Sequence, residues 1–562
     1  MTTPSDSAPD MSTDRATERP GAGEFLGDLN IANVLAALGQ GAQLGPAMTE
    51  AVNFYQELFK IALGTSDVAP DNKDWRFKDD AWSQNPFYKR VGQAYLAWSK
   101  ALNNFAEHNQ DWRARERAKL GADVLTSMWS PTNIFLGNPA ALKRAVETGG
   151  GSVVEGLRNY FEDLAENRGM PSQVDRSAFT LGENLAATPG AVVFRSETLE
   201  LIQYQPQTPQ VSRRPVLVIP PQIGKYYFLD LSPDRSLLEY SVSQGIQTFV
   251  ISWRNPTSEH ANWDLDHYVN AILEATDAVR VITGSQDLNA MGFCAGGITM
   301  TAVLGYLNAV GDPRIQSMTY AVTLLDFESE AMIGALRTPH VLQMAQQHST
   351  SQGIIKGEDL GLLFTWMRPN DLVWNYWVNN YLMGKKPASF DILVWNVDST
   401  NLPAALHADF LELFQNNALC KPGAREVLGE AVDISKITTD TFVIGGLTDH
   451  LTPWQGCYRT TQLLGGEPTF VLSSSGHIAS LVNPPGNPKS NYHTGPEPGP
   501  NPDAWLREST KHVGSCGNAG VNGLKRGAGS RAPHPQSSAT HNIRRWWPHP
   551  VLMCTADELS TT

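Results

Sequence analysis

Residues Asn289–Met300, NAMGFCAGGITM, combine one cysteine with a cluster of glycines. An apolar run ends at Phe293, Cys294 follows, and Gly296 and Gly297 open a segment of helical composition. A strand that turns sharply into a helix exposes the residue at its apex as a nucleophile, and neighbours without Cβ atoms permit such a turn. The stretch therefore predicts a thiol nucleophile at Cys294, with the helix N-terminus favouring its thiolate form.

Two further residues could complete this chemistry. Asp449 follows the apolar run TFVIGGLT, and His477 follows the run TFVLSSSG. Reactive groups gather beyond the carboxyl ends of parallel strands, and the order nucleophile, acid, histidine is that of the α/β-hydrolase fold. We expect His477 to take the thiol proton and Asp449 to orient and charge-balance the imidazole.

Acyl transfer at such an elbow also requires donors for the oxyanion. The candidates are two backbone N–H groups, one of Ala295 and one of Ile223 in the loop after PVLVIPP. His450, next to Asp449, is an accessory candidate. A neighbouring residue usually points elsewhere, which favours a structural hydrogen bond for His450.

The elements that must position these residues begin near residue 191. Short β-branched runs there alternate with helical segments such as DHYVNAILEATDAVRVITG, which predicts a mostly parallel, doubly wound sheet. The predicted catalytic core covers 191–328 and 430–513. The intervening residues, 329–429, are too long for one crossover and rich in tryptophan, so we interpret them as a cap inserted over the strand ends.

The chain before the core, 26–190, is predicted to form a helical N-terminal domain. Its clearest apolar stripe recurs at steps of three and four residues, at Phe87, Val91, Tyr95, Trp98, Leu102 and Phe105. Packing on the rest of the protein is the favoured use of this stripe, and a partner-binding face is the alternative. A polar head, 1–25, and an atypical tail, 514–562, rich in Gly, Ser, Pro and Arg, are predicted to be disordered.

Composition restricts the class of function. The formal net charge of −14 argues against a general affinity for nucleic acid. The sequence has no apolar segment typical of a secretory signal or a transmembrane helix, so we expect a cytoplasmic protein. The five cysteines are scattered without a CxxC pair, and neither a cofactor nor a metal is predicted.

A cysteine where most enzymes of this geometry carry serine indicates a thioester substrate. Exchange between two thiols is nearly thermoneutral, so a cysteine keeps the acyl group activated for a second attack. A tryptophan-rich cap would protect this intermediate from water. The residues thus favour a transferase of acyl thioesters.

Nine stretches between about residues 75 and 510 carry a family resemblance. They are TPGAVVFRSETLELIQYQP, PPQIGKYYFLDLSPDRSLLEY, QTFVISWRNPT, GFCAGGIT, MRPNDLVWNYWVNNYL, FDILVWN, TNLPAALHADFLELF, GLTDHLTPW and SSSGHIASLVNPPGNPK. The chain resembles the polyhydroxyalkanoate synthases, more closely the single-subunit, class II enzymes that prefer medium-chain 3-hydroxyacyl-CoA than the short-chain class.

The resemblance implies a Cys, Asp, His triad at Cys294, Asp449 and His477. It implies polymerisation of (R)-3-hydroxyacyl-CoA into a polyester with release of CoA, at polyhydroxyalkanoate granules and with granule-associated proteins as possible partners. It also implies a homodimer with the cap at or near the contact, where aromatic residues such as Trp395 could pack between subunits. Either His477 or Asp449 would activate the attacking hydroxyl.

The chain departs from the family at two places. Gly224 stands where the family usually has Asn, beside the expected oxyanion loop. After about residue 514 the family continues with a tryptophan-rich helix, whereas this chain changes composition abruptly. We hypothesise that this tail is an out-of-frame extension.

Two alternatives stay open at this stage. The first is a cysteine-based esterase or thioesterase of the same fold, which would release free acid. The second is a noncatalytic granule scaffold, in which the N-terminal aromatic helices bind a hydrophobic surface.

Overall fold

The computed structural model describes residues 44–328, 332–335, 337–483, 487–517 and 531–533. The head predicted over 1–25 lies outside the described residues. Of the tail predicted over 514–562, only 514–517 and 531–533 are described.

A ten-stranded sheet forms the centre of the protein, in the order β1-β2-β5-β4-β6-β7-β12-β13-β14-β15. The six strands from β5 to β13 are parallel, and antiparallel pairs flank them on both sides. The strands are β1 (Gly190–Arg195), β2 (Leu199–Tyr204), β3 (Gln210–Ser212), β4 (Val216–Ile219), β5 (Thr248–Trp253), β6 (Leu288–Phe293), β7 (Ile315–Ala321), β8 (Ile354–Ile355), β9 (Leu402–Pro403), β10 (Glu426–Val427), β11 (Glu430–Ala431), β12 (Asp440–Gly446), β13 (Pro468–Ser473), β14 (Asn491–Thr494), β15 (Thr510–Val513) and β16 (Arg531–Pro533).

The central strands are apolar throughout because both faces of the sheet are covered. In β6, Leu288 and Ala290 belong to a buried cluster that also includes residues of the helices at 265–283 and 295–310. Met291 and Phe293 belong to a second buried cluster on the opposite face of the sheet. Side chains alternate between the faces of a strand, so a fully buried parallel strand reads as a continuous apolar run. This arrangement confirms the predicted α/β-hydrolase architecture and fixes where each strand ends.

Helices lie before the sheet, between its strands and above it. They are α1 (Leu44–Leu63), α2 (Ala81–Gln84), α3 (Pro86–Glu107), α4 (Trp112–Met128), α5 (Pro139–Glu147), α6 (Gly151–Glu166), α7 (Leu237–Ser243), α8 (Leu265–Thr283), α9 (Ala295–Val310), α10 (Met332–Ala335), α11 (Pro339–Gln352), α12 (Gly357–Trp366), α13 (Asp391–Val397), α14 (Ala404–Asn416), α15 (Trp454–Leu463), α16 (Ala479–Val482) and α17 (Pro502–Glu508). Among the described residues, no helix combines the length and apolarity needed to cross a bilayer.

The predicted apolar stripe lies on α3, which begins with Asn85 as its N-cap. Tyr95 is buried against Phe77 and Trp82, so at least part of the stripe packs within the protein, as favoured from the sequence. Five of the cap's tryptophan-rich residues, Asn370–Trp374, form a π-helix, and a second one follows at Trp377–Leu382. The indoles of Trp374 and Trp377 donate to Ser127 Oγ and to the carbonyl of Asn133, so this helical segment packs on the N-terminal part of the chain.

Three of the described tail residues, Arg531–Pro533, pair antiparallel with β3. This pair forms a small sheet apart from the central one. The remaining residues after 517 lie outside the described part of the chain.

Candidate active site

Cys294 lies at the point where β6 turns into α9. Its backbone has φ 48° and ψ −119°, a conformation that L-residues rarely adopt. Its N–H donates to the carbonyl of Ala321 at the end of β7, at 3.0 Å, and its carbonyl accepts from Gly297 N–H, also at 3.0 Å. Backbone strain of this kind, costing about 1–3 kcal/mol, persists where the surrounding structure holds it and where function uses it. The elbow predicted from the sequence is thus present.

The glycines around Cys294 are required by close packing. A Cβ on Gly296 would lie 2.3 Å from the carbonyl oxygen of Ile219, and one on Gly297 would lie 2.2 Å from Thr323 Oγ1. The missing side chains bring the N-terminus of α9 against the loop that follows β4. Neither glycine has a positive φ, so close packing is what requires the absence of a Cβ predicted at these positions.

Gly296→Ala is expected to lower the apparent Tm by several degrees, because the new methyl group meets a carbonyl and overpacking costs about 1–3 kcal/mol. Gly361→Ala, in α12, is the matched control, since a Cβ there meets nothing within 4 Å. We expect the control to keep or raise Tm in a thermal unfolding scan. Equal Tm values for the two variants would contradict this packing account.

Asp449 and His477 meet in a buried ion pair. Asp449 follows β12, His477 follows β13, and the carboxylate Oδ2 lies 2.7 Å from the imidazole Nδ1. Since Nδ1 faces Asp449, Nε2 is the ring nitrogen left for Cys294, whose side chain also acts on the imidazole electrostatically. The structure thus brings together the three residues that the sequence predicts as a triad.

The electrostatics of this group favour a positively charged imidazole. Burial by itself lowers the pKa of His477, but hydrogen bonds to Asp449 and Cys294 and their negative charges raise it to about 10. Burial also raises the pKa of Asp449, yet the hydrogen bond and charge of His477 outweigh it and hold that pKa below its ordinary value. An imidazolium held between a carboxylate and a sulfur atom is the arrangement that activates a cysteine.

Thr452 belongs to the site and was missed by the sequence reasoning. Its hydroxyl donates to Asp449 Oδ2 at 2.7 Å, and its N–H and that of Leu451 donate to Oδ1 at 3.0 and 2.9 Å. The four-residue stretch DHLT before Pro453 carried the signal, because an Asp followed by a hydroxyl residue and a proline is typical of an Asp-centred turn. These donors fix the carboxylate that orients His477.

The two expected oxyanion donors lie on elements that contact each other. Ala295 is the first residue of α9, directly after Cys294. Ile223 lies in the loop of residues 220–225, here named the oxyanion loop. The side-chain amide Nε2 of Gln222 in this loop donates a hydrogen bond to Thr299 Oγ1 of α9, at 2.9 Å. This placement is compatible with both donors, whose roles stay predictions.

His450 is half-buried beside the triad. Burial and the charge of Arg368 lower its pKa, and no hydrogen bond among the described residues joins its side chain to the triad. Four charged groups act on it: Arg368 and Asp371 lie in the residues predicted as the cap, and Asp449 and His477 belong to the predicted triad. An accessory role for His450 therefore stays a prediction.

The other described cysteines differ from Cys294 in their surroundings. Cys457 and Cys516 are buried, and burial raises the pKa of Cys420 to about 12. Within the described ranges, no group of three or more His, Cys, Asp and Glu side chains could hold a metal ion. A reactive thiol is therefore expected at Cys294 alone among these four.

Two family models match parts of the chain. Residues 73–241 match the family model described as the N-terminus of poly-beta-hydroxybutyrate polymerase (PhaC), and residues 215–484 match that of the alpha/beta hydrolase fold. The two matches overlap over residues 215–241, which contain β4 and the oxyanion loop. The second match confirms the fold class predicted from the sequence.

Three curated relatives cover most of the chain. Poly(3-hydroxyalkanoate) polymerases 1 and 2 of Ectopseudomonas oleovorans are 48% and 47% identical; each alignment covers 82% of this chain, and they cover 83% and 82% of those proteins. The poly(3-hydroxyalkanoate) polymerase subunit PhaC of Cupriavidus necator is 36% identical over 91% of this chain and 88% of that protein. With this identity and coverage, the chain belongs to the poly(3-hydroxyalkanoate) polymerase family.

Proposed function

We propose that this chain polymerises (R)-3-hydroxyacyl-CoA into polyhydroxyalkanoate with release of CoA, as an acyltransferase that carries the growing acyl group as a thioester on Cys294. The observation that carries the proposal is the buried ion pair of Asp449 and His477 together with the strained elbow at Cys294, which acts electrostatically on the same imidazole. Membership of the polymerase family supports the substrate class. The higher identity to the Ectopseudomonas polymerases than to the Cupriavidus subunit supports the single-subunit class.

In the first step the sulfur of Cys294 attacks the thioester carbonyl. The C–S bond to CoA breaks, the acyl group forms a new C–S bond with Cys294, and His477 Nε2–H gives its proton to the departing CoA sulfur. The oxygen of the intermediate carries negative charge, which the N–H groups of Ala295 and Ile223 would stabilise. The step exchanges one thioester for another, so little driving force is lost.

In the second step a 3-hydroxyl group replaces CoA as the reacting partner. The hydroxyl gives its proton to His477 and attacks the thioester carbon, an ester bond forms, and the C–S bond breaks with the proton returning to sulfur. Asp449 is less suited to this task, because its side chain is fully enclosed and its oxygens already accept from Thr452, Leu451 and His477. The geometry therefore favours His477 as the base in both steps.

The direct test is CoA release from a medium-chain (R)-3-hydroxyacyl-CoA by the purified protein, with polymer separated from free acid. We expect polymer in amounts matching the CoA released. Free acid in its place would support the esterase or thioesterase alternative. If the folded protein releases no CoA and forms neither polymer nor free acid, the scaffold alternative is supported.

We also propose that the protein acts in the cytoplasm at the surface of polyester granules, as a homodimer. Its N-terminal helices expose apolar stripes at helical spacing, which a hydrophobic surface could cover. One stripe lies on α1, at Met48, Val52, Tyr55, Phe59 and Leu63, and another on α6, at Val154, Leu157, Phe161 and Leu164.

Replacing both Tyr55 and Phe59 with serine is expected to weaken binding to polyester particles by about tenfold or more. Burying one such aromatic side chain contributes about 1.5–3 kcal/mol to the binding free energy. Co-sedimentation with preformed particles measures the effect. Val281→Ser is the control, because Val281 is also an exposed apolar residue but lies on α8 of the catalytic domain. Unchanged binding of the double variant would contradict a granule-facing role for α1.

A further inference from the structure

Hydrogen bonds and an ion pair join both ends of helix α13 of the cap to the catalytic domain. At its start, the buried carboxylate of Asp391 accepts from Ser232 Oγ at 2.6 Å and pairs with Arg235 Nη1 at 2.7 Å. Just past its end, the carboxylate of Asp398 accepts a hydrogen bond from the hydroxyl group of Tyr227, at 2.7 Å. Hydrogen bonds to charged groups are strong and directional. The helix therefore has one defined position over the oxyanion loop.

Trp395, in the middle of this helix, contacts the oxyanion loop directly. Its indole Nε1–H donates to the backbone carbonyl of Lys225 at 2.7 Å. Its ring also lies so close to Gly224 that a Cβ there would be 2.9 Å from Cζ2. Gly224 in addition forms an isolated antiparallel bridge with Ser399, just beyond the helix. The unusual glycine of this chain thus provides the space that the indole occupies.

The same ring is connected to the nucleophile through packed aromatic side chains. Trp395 and Phe228 have ring centroids 5.3 Å apart, and Phe228 and Phe293 meet edge to face at 5.8 Å. Phe293 precedes Cys294, whose side chain packs against the same buried cluster as Trp395. The indole therefore contacts the oxyanion loop on one side and the support of the elbow on the other.

We propose that Trp395 is a positioning residue that sets the orientation of the oxyanion loop, and with it the Ile223 N–H, for acyl transfer at Cys294. This inference rests on the proposed function, in which Ile223 donates to the oxyanion. Interactions fix the chain on both sides of Ile223. Before it, the side chain of Gln222 donates a hydrogen bond to Thr299 of α9. After it, Gly224 forms a β-bridge with Ser399 and the carbonyl of Lys225 accepts from Trp395. Trp395 supplies the second attachment.

The effect of this attachment should appear in catalysis more than in substrate binding. An oxyanion donor must lie within hydrogen-bond distance of an atom that becomes charged only during reaction, and losing one such donor costs about 10²–10³-fold in kcat. Without the indole N–H, the Lys225 carbonyl loses its partner and the loop can rotate. A partial displacement of Ile223 would lower kcat and leave KM nearly unchanged.

Trp395→Phe tests the proposal because it keeps an aromatic ring and removes the N–H donor. We expect kcat for CoA release to fall about 10- to 100-fold, with KM within about twofold of that of the unaltered protein. Trp377→Phe is the matched control: its indole also donates to a backbone carbonyl, that of Asn133, at 3.1 Å, but on the N-terminal helices. We expect the control to keep kcat within about twofold.

Alkylation of Cys294 separates a positioning role from a merely structural one. Iodoacetamide forms a C–S bond by displacement of iodide and generates no oxyanion, whereas acylation by an acyl-CoA without a 3-hydroxyl group does. Both products are measured as mass shifts of the Cys294 peptide. We expect Trp395→Phe to slow acylation about tenfold or more and to change the alkylation rate by less than about twofold.

A second variant approaches the contact from the loop. Gly224→Ala introduces a methyl group against the Trp395 ring and is expected to give the same selective loss of acylation. Equal slowing of alkylation and acylation, or the same loss in Trp377→Phe, would overturn the positioning role, as would full activity of both Trp395→Phe and Gly224→Ala. If the unaltered protein itself shows no acylation of Cys294, the proposed function fails before this inference is reached.

Discussion

Cys294→Ala is expected to lower CoA release from (R)-3-hydroxyacyl-CoA by on the order of 10⁵- to 10⁶-fold, the loss seen when the nucleophile of a covalent mechanism is removed. The physical reason is that no other described thiol can replace it. Cys457 and Cys516 are buried, and burial raises the pKa of Cys420 to about 12. His477 and the oxyanion donors would then have no acyl group to act on. The residual rate should equal that of hydrolysis in buffer.

Cys294→Ser refines this result. The serine keeps the elbow and can still form an acyl ester, but the step from thioester to ester gives up driving force that the next attack needs. We therefore expect a slow single acylation and little or no polymer. Cys420→Ser is the matched control, because its sulfur donates only a weak hydrogen bond to Leu325 O, at 3.4 Å, and a hydroxyl can replace it. Polymer formation by Cys294→Ala, or its loss in Cys420→Ser, would contradict the assignment of the nucleophile.

Asp449→Asn is expected to have the second-largest effect, on the order of 10³- to 10⁴-fold in kcat, by comparison with other acyl-transfer triads. Asparagine has nearly the same shape but no charge, and its amide nitrogen competes to donate toward His477. The orientation and tautomer of the neutral imidazole that presents a basic Nε2 to the attacking hydroxyl are then no longer enforced. Substrate binding should change little, so KM should stay within about threefold.

The same variant should shift the titration of His477. In the unaltered protein the hydrogen bonds and charges of Asp449 and Cys294 raise the pKa of His477 to about 10, so the imidazolium persists through neutral pH and is lost only as pH rises toward that value. Removing one of the two charges lowers this pKa, and the imidazolium is lost at lower pH. Carbon-13 NMR of labelled histidine, assigned with His477→Gln, measures both titrations.

Asp326→Asn is the control for this experiment. Its carboxylate also lies beyond the strand β7, but it pairs with Arg459 and accepts from Asn417, away from His477. We expect it to leave kcat and the titration of His477 nearly unchanged. An unchanged His477 titration in Asp449→Asn would mean that the ion pair does not control the imidazole.

The triad was predictable because its signals are local in sequence. Each of Cys294, Asp449 and His477 directly follows an apolar run, and strands buried on both faces are the clearest such runs. The glycines near Cys294 were predictable for a related reason, since tight backbone packing leaves no alternative residue. Chain order and strand ends together were enough to place three distant residues in one site.

Other features depend on contacts that no single sequence pattern records. The strand β7 covers Ile315–Ala321 and ends before the apolar run does, because the chain turns at Val322 with a φ of 46° while the apolar residues after it stay buried. The π-helices of the cap were not predictable from helical spacing. The contact between Trp395 and Gly224 joins two residues about 170 positions apart, and only the folded chain shows it.

If the acyl group is carried on Cys294, mass spectrometry of the Cys294 peptide can detect it during the reaction. The protein would be mixed briefly with a medium-chain (R)-3-hydroxyacyl-CoA, quenched in acid and digested. The account predicts a mass increase equal to one or more 3-hydroxyacyl units on this peptide, removed by hydroxylamine and absent from the Cys294→Ala protein. Polymer formation with the acyl group on another residue, or with no acylated peptide at any time, would contradict it.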